Sequence, residues 1–227
     1  MNSCPRCQHS ESRKDGIVRE KQRYRCKSCG YRYTVAHRGY SEDVKRQALA
    51  MYLEGLGFRS IGRLLSCSHT AVYYWIRQYG EKSSLEVAGS KIEVIEMDEM
   101  HTYIGSKKKA CWLWIAVDRL GHRFLNVIVG SRDTDTGQCL WEGVAHHDIC
   151  HVMTDYWKPY ELFLPPELHT QSKAETFTVE GYNSLFRHFL ARLRRKSKCY
   201  SKCMKMLLYS VTLLMLKRDG KLGAILN

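Results

Sequence analysis

Two sets of side chains in this 227-residue sequence have the types and spacing for metal chemistry. The first is four cysteines: Cys4-Pro-Arg-Cys7 and, eighteen residues on, Cys26-Lys-Ser-Cys29. Each Cys-x-x-Cys pair forms a knuckle offering two thiolates. Two knuckles complete one tetrahedral, structural zinc (Zn2+) with no open coordination position. Four free thiols are the alternative. The second set is three carboxylates far apart in the chain, Asp98, Asp155 and Glu180. Taken singly, the aspartates read as turn or cap residues and the glutamate as a solvated helix residue. Meeting over a sheet, they suit two magnesium ions (Mg2+) about 3.5–4 Å apart that clamp a phosphodiester for in-line attack. Hard magnesium prefers oxygen ligands, so carboxylates fit it and thiolates do not.

The order of elements gives those carboxylates a frame. Residues 91–97, KIEVIEM, alternate as a half-buried strand does and lead to Asp98 at its end. CWLWIAV, residues 111–117, is a continuous apolar run suited to a central strand. A turn over 118–121 and a strand over 122–129 complete a hairpin, with a helix expected over 134–144. A fourth strand, residues 149–153, delivers Asp155. The connection before it, His146 to His151, is short, of the length a small deletion would leave. A long helix is expected from about Thr178, its buried stripe being Tyr182, Leu185, Phe186, Phe189 and Leu193. Glu180, Asn183, Ser184, Arg187 and Arg194 fall on another face. From Arg187 to Lys205 there are eight Lys/Arg and no acid. Asp118 and Glu99 rank below the triad as metal candidates, and Glu175 is the rival of Glu180. The apolar stretch from Met204 to Leu216 reads as a core helix, too short to span a membrane.

Upstream lie two smaller segments. Residues 1–39 form the expected zinc ribbon, with Gly30 where a knuckle can need positive φ. Residues 1–40 hold ten Lys/Arg against three acids. Residues 40–80 have the spacing of three short helices, with Gly55 and Gly57 ending the first and a tight turn at 66–68. That is the helix-turn-helix plan, its third helix offering Thr70, Tyr73, Tyr74 and Arg77 to DNA. Residues 81–90 read as a linker and 91–227 as the third domain.

Composition bounds the function classes. With 44% apolar and 26% charged residues the chain is globular, which excludes disorder and fibre. A formal charge of +13 points to a polyanion, nucleic acid first. There is no run of about 18 apolar residues and no leader-like start, so a cytoplasmic, nucleoid-associated protein with no membrane partner is expected. Ten cysteines in a reducing compartment favour metal binding over disulfides.

The motifs CPRC…CKSC, AVYYWIRQYG, MDEMHTYIG, LWIAVDRLGHRFLNVIVG, MTDYW and SKAETFTVEGYNSLFRHFLARLRRKSKCYSK together resemble the transposases of bacterial insertion-sequence family one, in fused single-chain form. The resemblance implies an α/β, RNase H-like mixed sheet with flanking helices, carrying an Asp-Asp-Glu triad at Asp98, Asp155 and Glu180. It also implies DNA contacts from Asn183 and from the basic, Tyr-containing block with Arg192, Arg194, Arg195, Lys196 and Tyr200; Arg187 joins them from its helix face. The implied partners are double-stranded DNA, as element ends and target, and further copies of the chain assembled on it. Two rival readings are a DNA-binding regulator without catalysis and a recombinase whose nucleophile is Tyr200.

Overall fold

A computed structural model of the protein describes residues 3–19, 21–34, 39–85, 91–197 and 199–223. Its contacts divide the chain into two units, Met1–Glu42 and Asp43–Asn227. In the first unit, β1 (Ser12–Val18), β2 (Lys21–Cys26) and β3 (Arg32–Thr34) form an antiparallel sheet in that order. Apart from Cys4 and Cys26, none of its described residues is buried. A unit with so little apolar interior lacks the usual source of folding free energy. Gly30 takes φ +70°, as the knuckle requires.

Three helices come first in the second unit: α1 (Glu42–Leu53), whose first residue ends the first unit, α2 (Phe58–Leu64) and α3 (His69–Glu81). Gly55 reverses the chain after α1 at φ +89°. The Ser68 hydroxyl caps α3 by accepting the Ala71 N–H at 3.0 Å. Then come β4 (Ile92–Tyr103), β5 (Ala110–Asp118), β6 (Arg123–Gly130), α4 (Thr134–Glu142), β7 (Ile149–Thr154), a 3-10 turn over Lys158–Leu162, β8 (His169–Gln171), α5 (Phe177–Phe189) and α6 (Met204–Arg218). The five strands pair in the order β6-β5-β4-β7-β8. β4 is antiparallel to β5 and parallel to β7, and β7 is parallel to β8. The expected mixed sheet with flanking helices is thus present. The short connection between α4 and β7 is closed by turns, and the Ile92 N–H donates to the Asp148 carbonyl at 2.8 Å where the parallel pairing begins.

Both faces of the sheet are covered. Leu113, Ile115 and Val117 of β5 face one apolar cluster, while Trp114 and Ala116 face the other. That explains the unbroken apolar run of this interior strand. The first cluster also contains Leu49, Leu53, Ile61 and Ile76 of the three N-terminal helices. The link is α6, buried almost all round and packed on both β6 and α3. Tyr52 Oη and Ser210 Oγ share a buried hydrogen bond of 2.6 Å, and Glu54 pairs with Lys217. The helices expected as a separate domain over 40–80 therefore share a core with the sheet. Most of the expected linker, residues 86–90, lies outside the described residues.

Two expectations need correction. β4 does not end at Asp98; its pairing with β5 continues to Tyr103, so Asp98 is in mid-strand. The helix carrying Glu180 stops at Phe189 rather than running on through Arg194. Leu190 is extended, and the chain turns so that Leu190 and Leu193 both enter the core. The basic block is therefore a turn-rich segment.

The contact between α3 and α6 is close at Gly80, where an added Cβ would lie 2.4 Å from Cγ of the Tyr209 ring. Gly80→Ala is expected to cost about 1–3 kcal/mol through overpacking. Thermal and urea unfolding will read this; unchanged stability would show that the interface yields.

Candidate functional site

Parallel register brings the two aspartates together. Ile95 pairs with Val152 and Glu96 with Met153, so Asp98 and Asp155 stand level, two residues beyond the last pair. β4 continues past this point while β7 ends at Thr154, which opens a space beside Asp98. The Trp157 N–H donates to Asp155 Oδ1 at 3.0 Å and fixes the turn after β7.

The third carboxylate arrives on α5, and a buried acid determines where that helix sits. Glu96 is fully buried on β4, two residues before Asp98 and on the same strand face. It accepts the Val179 N–H at 2.8 Å and Nε of Arg119 at 2.7 Å. Arg119 also binds the Glu175 carboxylate at 2.6 Å and the Glu175 carbonyl, and lies over the Phe177 ring at 4.9 Å. The first turn of α5 is thereby tied to the sheet, and the next residue, Glu180, reaches the space beside Asp98.

Asp98, Asp155 and Glu180 line one cavity of about 340 Å³, with Arg132 and Lys173 as its cations and Tyr156 and Trp157 as its aromatic wall. Burial raises the Asp98 carboxyl above its ordinary value, and the charges of Asp155 and Glu180 add to this against the Glu99 N–H and the Asn183 amide. On α5 the spacing of Glu180, Asn183 and Arg187 places all three toward Asp98. Asn183 Nδ2 donates to Asp98 Oδ2 at 2.6 Å, while its Oδ1 is buried without a hydrogen-bond partner among the described residues. Burial lowers the half-buried Arg187, Arg195 lowers it further, and Asp98 opposes both.

The other candidates separate by position. Glu175 belongs to the Arg119 bridge. Asp118 is buried and accepts both Arg123 Nη2 at 2.6 Å and the Gly121 N–H at 3.0 Å, which makes it a turn residue. Glu99 is buried with Tyr160 and Arg132 as donors; burial is the main reason that its carboxyl is pushed up to about 7. Asn183, expected at DNA, is buried against Asp98 instead. Arg192, also expected at DNA, donates to Ser201 Oγ at 3.0 Å and lies over the Tyr52 and Phe58 rings at 5.1 and 5.2 Å, joining the basic segment to the helices. Arg194, Arg195 and Lys196 are exposed. Tyr200 is half-buried, edge-on to Tyr103 at 5.4 Å. On α3, Thr70, Tyr74 and Arg77 are exposed, with Arg77 paired to Glu81 at 2.8 Å, whereas Tyr73 packs edge-on against Phe58.

In the N-terminal unit, the sulfurs of Cys4, Cys7, Cys26 and Cys29 all lie within 4.8 Å of one another. Among the described residues this is the only set of three or more metal-type ligands gathered so closely; the cavity carboxylates are not drawn together to that degree. Cys4–Cys29 and Cys7–Cys26 are 3.6 Å apart, too long for a disulfide of about 2.05 Å. Zinc–sulfur bonds of about 2.3 Å imply tetrahedral edges of roughly 3.8 Å, which the set fits. Burial raises the Cys4 thiol, but the Cys7 and Arg6 N–H groups outweigh it and bring it to about 7. The His9 N–H lowers Cys7, yet Cys29 and the other thiols push it up to about 12. Four crowded thiols cannot all ionise unless a cation shares their charge.

Sequence reasoning missed Glu96, Arg119, Arg132 and Tyr160. Glu96 shares a strand face with Ile92 and Val94, opposite Glu93, so it breaks the alternation; that break and its place two residues before Asp98 are the local cues. No local pattern marks Arg132.

Residues 91–214 match the family model described as IS1 transposase. Residues 43–95 match a gpP-like terminase ATPase-subunit model. The chain is 35% identical over 131 residues to the Insertion element IS1 4 protein InsB of Escherichia coli K12, covering 58% of this chain and 78% of that protein. The IS1 2 protein InsB of the same organism is 35% identical over 56% of this chain and 76% of its own. Among solved structures, the simian T-cell lymphotropic virus intasome with the PP2A regulatory subunit B56 gamma aligns over 63% of this chain and 58% of its own, at 14% identity and a TM-score of 0.32. A pre-cleavage Mos1 transpososome aligns over 83% and 79%, at 9% identity and 0.26. Both superpositions are too loose to bear on fold or function. No helix among the described residues is long and apolar enough to cross a membrane.

The Glu96–Arg119 bridge makes a direct expectation. Arg119→Ala leaves a fully buried carboxylate with one donor fewer and should cost about 3–5 kcal/mol. Hydrogen exchange at the Val179 amide should accelerate in parallel. Wild-type stability and protection would show that α5 is held by other contacts.

Proposed function

Because this chain belongs to the IS1 transposase family, we propose that it cuts DNA at the ends of an insertion element and joins the freed ends to a target, using Asp98, Asp155 and Glu180 on an RNase H-like sheet. The observation that carries this reading is the convergence of the three acids, from β4, the end of β7 and α5, on one cavity. Their donor set is all oxygen, and the Asp98 carboxyl is raised in part by its two anionic neighbours. That is a fit for divalent magnesium, which the three carboxylates would hold. Bound there, two such ions would supply activation of the attacking oxygen and stabilisation of the leaving one.

In the cutting step, a water oxygen forms a bond to phosphorus and the phosphorus–3′-oxygen bond breaks. The water's proton leaves, the 3′ oxygen gains one, and the phosphate stays on the 5′ side. In the joining step that 3′ hydroxyl attacks a target phosphodiester, giving up its proton while a target 3′ oxygen departs and takes one. The chain's own part is placement. Asn183 fixes one Asp98 oxygen, the Glu96 bridge sets the height of Glu180, and the Trp157 N–H orients Asp155.

DNA binding is assigned to three surfaces. The four-cysteine unit reads as a zinc ribbon, and α1–α3 as a helix-turn-helix that presents Thr70, Tyr74 and Arg77. The exposed Arg194, Arg195 and Lys196 would meet phosphates near the cut. Synapsis of two ends makes an assembly of several copies the expected active form.

Asp155→Asn should reduce cleavage of an inverted-repeat duplex with magnesium by at least about a thousandfold, the scale of several kcal/mol of metal stabilisation. Its end binding in gel shifts should be unchanged. Wild-type cleavage would refute the triad. Chelation of zinc should unfold the N-terminal unit, by circular dichroism, and weaken end binding. Binding indifferent to chelation would remove the ribbon from the reading surface.

A further inference from the structure

One cation of the carboxylate cavity is held far more firmly than a surface arginine. Arg132 lies between β6 and α4, just before Asp133, which caps α4. Its Nε donates to Glu99 Oε1 at 2.8 Å, and its Nη2 lies 2.5 Å from the same oxygen. Glu99 is itself fixed, since its other oxygen accepts the hydroxyl of the fully buried Tyr160 at 2.8 Å. The guanidinium carbon lies 4.8 Å from the Trp112 ring centre and 5.2 Å from that of Trp157. Nη1 has no protein partner among the described residues, and 38% of the side chain is exposed, in the cavity it shares with Asp98, Asp155 and Glu180.

The arrangement is costly for a residue without a task. Burying Glu99 removes a charge from water, and neutralising it would need only a compact pair. Here the guanidinium is anchored along one edge, packed against two indole rings, and still keeps donors facing the cavity. It makes no ion pair with Asp98, Asp155 or Glu180, although all four line the same space. A planar fork held in place has already lost its rotamer freedom, so little is lost when it receives an oxyanion. The ligand that suits a guanidinium beside three metal-type carboxylates is a phosphate diester, with one non-bridging oxygen on the arginine.

We propose that Arg132 is a further catalytic residue, which grips the DNA phosphate being cut and neutralises the charge that builds on it during in-line displacement, with Glu99, Tyr160, Trp112 and Trp157 as its positioning residues. The proposal rests on the Asp-Asp-Glu reading of the same cavity. Arginine clamps on transferring phosphoryl groups act in this way because they strengthen as negative charge develops.

The test uses the full chain, magnesium and an end-labelled inverted-repeat duplex, under single-turnover conditions. Arg132→Ala should bind the duplex no more than a few-fold more weakly, the loss of one phosphate contact among many, and cleave it about a hundred- to a thousandfold more slowly. Arg132→Lys should recover only a small part of the rate, since a point charge lacks the fork. Truncating Arg132 alone strands the Glu99 charge, so Glu99→Gln/Arg132→Ala is measured alongside. This double variant should melt near the wild-type temperature and cleave as slowly as Arg132→Ala. Wild-type cleavage by the double variant, or full recovery in Arg132→Lys, overturns the proposal. Asp155→Asn separates the two levels. If it is inactive while the arginine variants cleave normally, only Arg132 loses its role; if it cleaves normally, the triad itself fails.

Discussion

A carboxylate shut away from water fixes much of this molecule. Glu96 is fully buried in mid-sheet, and such a charge is tolerated only when its partners are held in place. The partners here are a guanidinium and the backbone N–H of Val179 in the first turn of α5, where the helix dipole also favours an anion. The constraint works in both directions. The sheet cannot close over Glu96 unless α5 lies at one height, and α5 at that height carries Glu180 to the cavity and Asn183 onto Asp98. One stability requirement thus serves the geometry of three chemically important side chains.

The two metal-type sites differ in how much of the fold they must supply. The four cysteines belong to a unit with almost no apolar interior, where their sulfurs form the centre. A cation held there, as proposed, would take the place of a core. The carboxylates sit on a sheet covered on both faces by packed apolar clusters, which stands without them. Removing an ion from the first site should cost structure, and from the second only chemistry.

Much of the frame was legible in the sequence because it is written in local patterns. Cysteine spacing located the knuckles and Gly30. The unbroken CWLWIAV run marked an interior strand, and the Glu180–Asn183–Arg187 spacing put all three residues on the face that meets Asp98. What escaped depends on long-range closure. Glu96 breaks the alternation of its strand, standing in line with Ile92 and Val94, but what covers that face, and so what partners a charge there, is set by α5 from far along the chain. Arg132 owes its place to Glu99 and Tyr160, thirty-three and twenty-eight residues away. The sequence does not mark the end of α5, because helical periodicity continues through Leu193 while tertiary packing pulls Leu190 and Leu193 into the core by a turn. Arg192 looks like one more cation of a basic block until Tyr52 and Phe58 are brought beneath it.

The burial of α6 has a mechanical consequence. With the apolar surface of α6 pressed between β6 and α3, and with Tyr52 bonded to Ser210, the three N-terminal helices are tied to the sheet through one shared core. Given the reading role proposed for α3 and the cutting role proposed for the carboxylate cavity, the span from the gripped bases to the severed bond would be a built-in ruler. Each base pair added between them would shift the bond by about 3.4 Å and turn it about 35° around the duplex, away from a cavity tied to the reading helices.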